Sequence, residues 1–334
     1  MMTLEPTERL STDRRQSKIR CTSQRGRAWW QHIQNYMVLA ALLVMFSSCS
    51  QSATHDTIKQ LKKDIQAKLT PLEGTFAVAF KNLDDSIQNI LINEKEMFHA
   101  ASTMKTPVMV ELYKQAKEET LGLDDSLLVK NEFRSIVDSS RYQMDVSDDS
   151  ADSLYEAIGE KRTVSRLIYD MVTRSSNLAT NILIEKAGAE NVTQTMRDYG
   201  ADSMQVLRGV EDIKAYQNGL NNRTNAYDLM LLFERIGREE AVSQRASRAM
   251  IEILEQQRFN KMIPAKLPDS VKVAHKTGWI SGVQHDSGLV LLPDGRRYVL
   301  ILLSKEAPNR EKVMNTFADI SKLIYKYMEE SKES

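Results

Sequence analysis

Apolar residues recur at helical spacing over 57–69 and then at a period of two over 74–80 and 88–93. The first pattern predicts a helix, and the other two predict the strands of a β-hairpin. The hairpin leads to Ser102, which opens a second predicted helix. The inward face of that helix consists of Val108, Met109 and Leu112.

Helical patterns dominate the middle of the chain, to about residue 257. The clearest covers 163–172, where the apolar residues form one stripe: Val164, Leu167, Ile168, Met171 and Val172. A stretch over 137–153 is rich in serine and aspartate and shows no period. It indicates a solvated loop, with the rim of a binding site as the alternative.

Near the end of the chain the period returns to two, which predicts strands at 271–275, 288–292 and 298–303. A tight turn at 293–295 joins the last two strands. The final helix carries a single apolar stripe, made of Val313, Phe317, Ile320, Leu323, Ile324 and Tyr327.

Helices segregated beside an antiparallel sheet define the α+β class. Because strands lie near both ends of the chain, we expect one discontinuous α/β lobe from 57–118 and 265–334. The segment 119–264 is then an all-helical second lobe. A cleft between two lobes is a natural place for an active site.

The charge balance gives no reason to expect nucleic acid as a partner, since Lys plus Arg and Asp plus Glu number 45 each in 334 residues. The five histidines include no H-x-H or H-E-x-x-H spacing, which disfavours a zinc-dependent enzyme. The alternative is a metal site formed by His275 and His285, which a hairpin would bring together. We expect no metal or other cofactor.

The first 48 residues resemble an export signal, because a basic segment precedes an apolar run of about 11 residues over 36–46. That run is too short to span a bilayer. The segment ends in Phe46-Ser47-Ser48-Cys49, which resembles the lipobox of bacterial lipoproteins, although Phe46 departs from the usual aliphatic residue. We expect lipidation of Cys49, a tether over 49–56, and a periplasmic or surface-exposed lipoprotein of the bacterial cell envelope. A plain secretory signal and a short membrane anchor are the alternatives.

Ser102 and Lys105 lie three residues apart, on the same side of a helical turn. A neutral lysine there could take the serine proton and make the hydroxyl a useful nucleophile. The alternative is an N-cap serine with a surface lysine.

Two polar segments resemble parts of a cleft. Ser175-Ser176-Asn177 separates two apolar helices and could project a hydroxyl and an amide; its alternative is a capping turn. Lys276-Thr277-Gly278, at the end of the 271–275 strand, offers positive charge, a hydroxyl for a carboxylate, and close backbone approach. The N–H of Trp279 could join that of Ser102 in holding an oxyanion. The alternative is an edge strand with an exposed lysine.

A third segment, Arg208 to Asp212, lies in a structured loop without periodicity. Glu211, held over the site, could activate a water molecule. The alternative is a surface glutamate or one that pairs with Arg208.

In combination, S-x-x-K, S-x-N, a glutamate-bearing loop and K-T-G follow one another over about 57–330. In this order the chain resembles the class A β-lactamases and the wider family of penicillin-recognising serine hydrolases. The resemblance implies a five-stranded antiparallel sheet flanked by helices, with Ser102 as the acylated nucleophile and Lys105 as its proton partner. It implies that Ser175 protonates the leaving nitrogen, and that Asn177 contacts the substrate amide.

The resemblance further implies that Lys276, Thr277 and Gly278 bind the β-lactam carboxylate and line the oxyanion side. Glu211 is the candidate for activating the deacylating water.

Four departures from the family pattern affect hydrolysis or substrate choice. Ser176 replaces the aspartate of S-D-N, and Val210 stands where the family has its glutamate, one residue before Glu211. Ala215 replaces an asparagine that binds water. An arginine that often assists the carboxylate is missing from the segment around His285-Asp286-Ser287.

The leading hypothesis is therefore a serine β-lactamase that opens β-lactam amides through an acyl-enzyme on Ser102. The alternatives are a penicillin-binding DD-peptidase or esterase that deacylates β-lactams slowly, and a non-catalytic binder of cell-wall fragments. The expected partners are a small β-lactam or peptidoglycan-like substrate and a membrane, through the lipid anchor. We expect a monomer.

Overall fold

A computed structural model of the chain describes residues 57–85, 88–150 and 152–331. The predicted signal segment, Cys49 and the tether lie outside these residues. Ile58–Ser334 forms one compact unit. The division of that unit into an α/β lobe and a helical lobe stays a prediction. Within the described ranges, no helix is both long and apolar enough to cross a membrane.

The helices begin and end as follows: α1 57–69, α2 Lys105–Lys117, α3 Val164–Thr173, α4 Asn177–Ala187, α5 Ala189–Asp198, α6 Ile213–Gln217, α7 Ala226–Gly237, α8 Gln244–Leu254 and α9 Arg310–Glu330. The strands are β1 Thr75–Asn82, β2 Asn89–Ile92, β3 Phe98–His99, β4 Ser126–Leu128, β5 Phe133–Arg134, β6 Arg141–Tyr142, β7 Lys161–Thr163, β8 Arg223–Thr224, β9 Lys272–Ile280, β10 Val283–Leu291 and β11 Arg297–Lys305. A 3-10 turn, Ala101–Met104, directly precedes α2.

The main sheet has five strands in the order β2-β1-β11-β10-β9, and every neighbouring pair is antiparallel. Strands from both ends of the sequence thus meet in one sheet, as the hydrophobic pattern predicts. The predicted α+β fold is confirmed. Because β9 lies at the edge, one side of its backbone is free of strand pairing and faces the Ala101–Met104 turn.

Helices cover both faces of the sheet, and the alternation along each strand sends side chains into two cores. One core joins residues such as Ala79 and Ile301 to α2, α3, α4, α7 and α8. The other joins Phe80 and Leu302 to α1 and α9. Truncating Phe317, which is fully buried in the second core, would cost about 3–5 kcal/mol.

The apolar stripes of α3 and α9 pack inward as predicted, with Leu323 partly buried. Two strand boundaries were wrong. β9 continues from the predicted 271–275 to Ile280, and β10 begins at Val283 instead of 288. Polar residues interrupt the apolar pattern in both strands, yet Lys276 and Asp286 are buried against neighbouring elements. Lys276-Thr277-Gly278 therefore lies inside a strand, not at its end.

Candidate active site

Ser102 lies in the 3-10 turn between the sheet and α2, and its side chain is half-buried. Lys105 is the first residue of α2, so the two lie across the junction of the turn and the helix. All residues from Lys105 to Leu112 are buried, which anchors the turn to the centre of the molecule. The predicted inward face of Val108, Met109 and Leu112 is part of this buried segment.

The Lys105 ammonium group is fully buried and donates to Ser175 O at 2.6 Å, Ser175 Oγ at 3.2 Å and Asn177 Oδ1 at 2.9 Å. Burial lowers the pKa of Lys105 to about 7, against the opposing charges of Asp149 and Glu211. A lysine with this pKa has a substantial neutral fraction near neutrality and can accept a proton. The alternative interpretation, a surface lysine, is wrong.

The Ser175 hydroxyl lies between two lysines. Its hydroxyl accepts from Lys105 and, at 3.0 Å, from Lys276 Nζ. Its φ of 60° lies in the left-handed region, which turns the chain sharply between α3 and α4. Ser176, the next residue, caps α4 by accepting the N–H of Ala179 at 3.2 Å. The capping interpretation therefore holds for Ser176, while Ser175 faces the lysines.

Lys276 is also fully buried, although it belongs to the edge strand β9, so the alternative of an exposed lysine is wrong. Its Nζ donates to Thr277 O at 2.9 Å as well as to Ser175. Burial and the nearby charge of Lys105 lower the pKa of Lys276 well below its usual value, against the charge of Asp286. An anionic ligand would favour the protonated form of this lysine.

The backbone of β9 approaches the nucleophile closely. A Cβ built on Gly278 would lie 3.2 Å from Ser102 N, so glycine permits this distance. The β9–β10 hairpin has a two-residue loop that closes on the pair Ile280 and Val283. Alternation from that pair leaves the N–H of Trp279 on the free edge, on the side of Ser102. This is the side that the predicted oxyanion site requires.

Glu211 reaches the site although it stands one residue after the family position. Its φ of 62° turns the backbone, and its Oε1 accepts from Asn177 Nδ2 at 2.8 Å. Its Oε2 accepts the N–H of Asp145 at 3.4 Å. Burial raises the pKa of Glu211, against the hydrogen bond from Asn177. Asn177 thus lies between Glu211 and Lys105.

The loop that carries Glu211 is held at several points. Asn181 binds the backbone of Val210 twice, accepting its N–H at 2.7 Å and donating to its carbonyl at 3.0 Å. Arg208 does not pair with Glu211; it donates to Leu220 O at 2.9 Å and Asn221 Oδ1 at 3.1 Å. Ala215, in the place of a water-binding asparagine, is buried.

Two site residues were missed from the sequence. Asp149 belongs to the 137–153 loop and accepts the N–H groups of Asn177 and Leu178, so this loop forms part of the site. His99 accepts the N–H of Ala101, next to the nucleophile. No local signal distinguishes Asp149 from the other acidic residues of its loop. His99 stands close to Ser102 in sequence, which is a weak hint.

His275 and His285 do not meet. The register pairs His275 with Gly288 and His285 with Gly278, which places the two side chains on opposite faces of the sheet. His275 contacts Asp286 at 2.8 Å, while His285 contacts the carbonyl of His99 at 2.9 Å. No cluster of three or more metal-ligating side chains occurs in the part of the chain that the structure describes.

A half-buried serine three residues before a buried lysine, which itself contacts a second serine–lysine pair, is the arrangement of a serine hydrolase of the acyl-transfer type. Comparison with known proteins agrees. The model of the β-lactamase enzyme family (Beta-lactamase2) matches residues 60–328. The chain therefore belongs to the β-lactamase enzyme family, which confirms the predicted class A-like serine hydrolase.

Three relatives illustrate the similarity. The chain is 24% identical over 302 residues to the extended-spectrum β-lactamase PER-1 of Pseudomonas aeruginosa, covering 86% of this chain and 92% of the relative. The structure of PBP-A is 26% identical, with a TM-score of 0.69, covering 81% of this chain and 96% of PBP-A. The TLA-3 extended-spectrum β-lactamase shares the fold, with 21% identity and a TM-score of 0.71 over 81% of this chain and 98% of TLA-3.

Proposed function

We propose that the protein hydrolyses β-lactam amides through an acyl-enzyme on Ser102. The observation that carries this proposal is the buried Lys105, whose Nζ lies 3.2 Å from a hydroxyl that Lys276 also contacts. Burying two neighbouring lysines is costly for folding, and strongly perturbed titratable groups of this kind cluster at functional sites.

In the first step, Ser102 Oγ attacks the lactam carbonyl carbon and its proton passes to Lys105. The developing oxyanion accepts the N–H groups of Ser102 and Trp279. The carbon–nitrogen bond then breaks, and the nitrogen takes a proton from the Ser175 hydroxyl, which receives from Lys105 the proton that Lys105 took from Ser102. Lys276 and Thr277 hold the substrate carboxylate.

In the second step, a water molecule attacks the ester carbonyl while Glu211 accepts its proton. Ser102 Oγ leaves and receives the proton that Glu211 took from the water, which returns both groups to their resting state. The Asn177–Glu211 hydrogen bond supports this role because it holds the carboxylate beside the amide that also contacts Lys105. Burial keeps the carboxylate more basic than usual.

The direct test is intact-protein mass spectrometry of the protein mixed with benzylpenicillin and sampled from seconds to an hour. We expect a transient adduct with steady product release, and neither in Ser102→Ala. Hydrolysis that survives in Ser102→Ala would refute the proposal. A long-lived adduct would favour the alternative, a penicillin-binding peptidase; a mutant of PBP-A was solved as an acyl-enzyme complex with penicillin G.

Glu211→Gln separates the two steps. The amide oxygen still accepts from Asn177, but it cannot serve as a base at neutral pH. We expect acylation to persist and deacylation to slow by about 10²–10⁴-fold, the usual contribution of a general base. Equal turnover in both proteins would show that another group activates the water.

We further propose export as a lipoprotein of the bacterial envelope, periplasmic or surface-exposed, which acts as a monomer and confers resistance to β-lactams. The basic and apolar pattern of residues 1–48 and Cys49 support this. Bacteria that express the full chain with a labelled fatty acid should incorporate the label, and Cys49→Ser should not. Labelling that persists in Cys49→Ser would contradict lipidation at this position.

A further inference from the structure

The first turn of α4 is capped by a carboxylate from a distant loop. Asp149 Oδ2 accepts the N–H of Asn177 at 2.9 Å and of Leu178 at 2.8 Å. The same oxygen accepts from the hydroxyls of Ser176 at 3.3 Å and Tyr155 at 3.1 Å. Asp149 precedes Ser176 by 27 residues, so tertiary structure alone brings them together.

The cap supplies hydrogen-bond acceptors that the start of α4 lacks. The first N–H groups of a helix have no partners within that helix, and leaving them unpaired in a buried place is costly. Ser176 is fully buried and its single oxygen accepts from Ala179. The N–H groups of Asn177 and Leu178 remain, and a negative charge is the most favourable acceptor at a helix N-terminus.

This cap bears directly on the catalytic groups. Asn177 begins α4, and its side chain accepts from Lys105 and donates to Glu211. Three charged groups face Lys105: Lys276, Glu211 and Asp149. Of these, Asp149 and Glu211 oppose the effect of burial by raising the pKa of Lys105.

We propose that Asp149 is a positioning residue for acylation, and that it supplies from a separate loop the one carboxylate that the Ser175–Asn177 segment requires. Ser176 stands where the related enzymes carry aspartate, and here its hydroxyl donates to the Asp149 carboxylate instead. The inference rests on the proposed role of Lys105 as the proton acceptor of Ser102. It assigns to Asp149 two effects: it fixes the Asn177 backbone, and it places negative charge near Lys105.

A double-mutant cycle tests whether acylation requires one carboxylate at the start of α4, whichever residue supplies it. Asp149→Ala leaves the N–H groups of Asn177 and Leu178 without their acceptor, so we expect acylation to slow by about tenfold or more. Ser176→Asp alone places two carboxylates side by side, which repel each other, and should also slow acylation. The double variant Asp149→Ala/Ser176→Asp again holds one carboxylate and should recover most of the rate. A double variant as slow as Asp149→Ala would overturn the proposal.

The charge is tested separately with Asp149→Asn, which keeps an acceptor oxygen and guards against a misfolded alanine variant. NMR titration of the Lys105 ε-carbon in the resting protein should show a lower pKa in Asp149→Asn than in the unsubstituted protein, because a negative neighbour has been removed. The double variant should return the pKa toward its original value. An unchanged Lys105 titration in Asp149→Asn would overturn the charge effect.

The titration also separates this inference from the proposed function. It is measured without substrate, so it decides the role of Asp149 at Lys105 even if penicillin forms no adduct. Absence of any Ser102 adduct in the unsubstituted protein would refute the proposed function. Adduct formation with an unchanged rate in Asp149→Ala and Asp149→Asn would refute the inference alone.

Discussion

His99 Nδ1 accepts the backbone N–H of Ala101 at 3.0 Å, one residue before Ser102. Ala101 has a φ of 44°, a left-handed conformation that alanine rarely adopts. The pKa of His99 is lowered to about 4 by burial and by the charges of Arg208 and Arg223, so the imidazole is neutral and can accept. His99 therefore stabilises the strained residue that positions the nucleophile.

This relationship predicts the effect of two substitutions. His99→Leu leaves the Ala101 N–H without its acceptor, and we expect acylation by penicillin to slow by about tenfold. His99→Asn retains an oxygen near the position of Nδ1 and should recover part of the rate. Stopped-flow acylation measures both. Equal acylation rates in His99→Leu and the unsubstituted protein would show that the Ala101–Met104 turn keeps its conformation without the His99 hydrogen bond.

The pH dependence of acylation should follow Lys105. Its pKa, lowered to about 7, means that the lysine is protonated in acid and cannot take the Ser102 proton. The acylation rate should rise with pH through about 7 and then level off. Lys105→Arg keeps hydrogen-bond donors but stays charged, and should abolish the rise along with most of the activity. A rate independent of pH from about 5 to about 9 would exclude Lys105 as the base.

Acid should destabilise the protein before its carboxylates titrate. Burial lowers the pKa of His285 from 6.5 to about 4. The unfolded chain therefore binds the extra proton between these values, and the free energy of unfolding falls as pH drops from about 6.5 to about 4. A shift of this size corresponds to roughly 3 kcal/mol, and His99 changes in the same direction.

Urea unfolding at several pH values measures this dependence. His285→Gln keeps a side-chain N–H that can donate to the His99 carbonyl but does not titrate, so it should flatten the dependence in this window. The same slope in both proteins would contradict a neutral buried His285.

Ser175 allows backbone strain to be separated from chemistry. Its φ of 60° costs a residue with a Cβ about 1 kcal/mol, whereas glycine adopts it freely. Ser175→Ala and Ser175→Gly both lose the hydroxyl that Lys105 and Lys276 contact, so both should acylate about 10²-fold more slowly. Ser175→Gly should be the more stable variant by about 1 kcal/mol in denaturant unfolding. Matched stabilities would argue against strain at this position.

The sequence predicts the parts of the fold and site that depend on local spacing. The stripe of α3 and the Ser102–Lys105 interval are local, because residues three or four apart share a helix face. The strand ends around Lys276 and Asp286 were missed, since a buried charge looks like a break in an apolar pattern. Asp149 depends on the path of a loop without periodicity, which local patterns do not determine.

Glu211 shows the same limit. Its position in the sequence is one residue too late for the family pattern, and only the turn at φ 62° brings its carboxylate to Asn177. That turn depends on Asn181, which is 29 residues from Val210 in sequence and binds both of its backbone polar groups. Residue spacing in a sequence motif does not predict a bend of this kind.

Gly209 provides the sharpest test of that arrangement. A Cβ built there would lie 2.2 Å from Asn181 Oδ1 and 2.8 Å from its Cγ. Gly209→Ala must therefore displace Asn181 or the loop, which frees the backbone of Val210 and moves Glu211 away from Asn177. Ser102, Lys105 and Lys276 lie on other elements and should still acylate. We expect the acyl-enzyme to accumulate, with deacylation slowed by about 10²-fold.

Gly219→Ala is the matched control, because it lies just beyond α6, ten residues from Gly209, with φ of 73°, and its Cβ would meet no atom within 4 Å. The backbone strain of this substitution is similar to or greater than that of Gly209→Ala, but its Cβ does not contact Asn181. Its deacylation rate should therefore stay close to that of the unsubstituted protein. Mass spectrometry of the penicillin adduct over time compares the two variants. Fast deacylation in Gly209→Ala would show that the water is activated without the Asn181-held loop. A Cβ at Gly209 would contact Asn181, whereas a Cβ at Gly219 would not. Slow deacylation in both variants would therefore show that the displacement of Asn181 is not its cause.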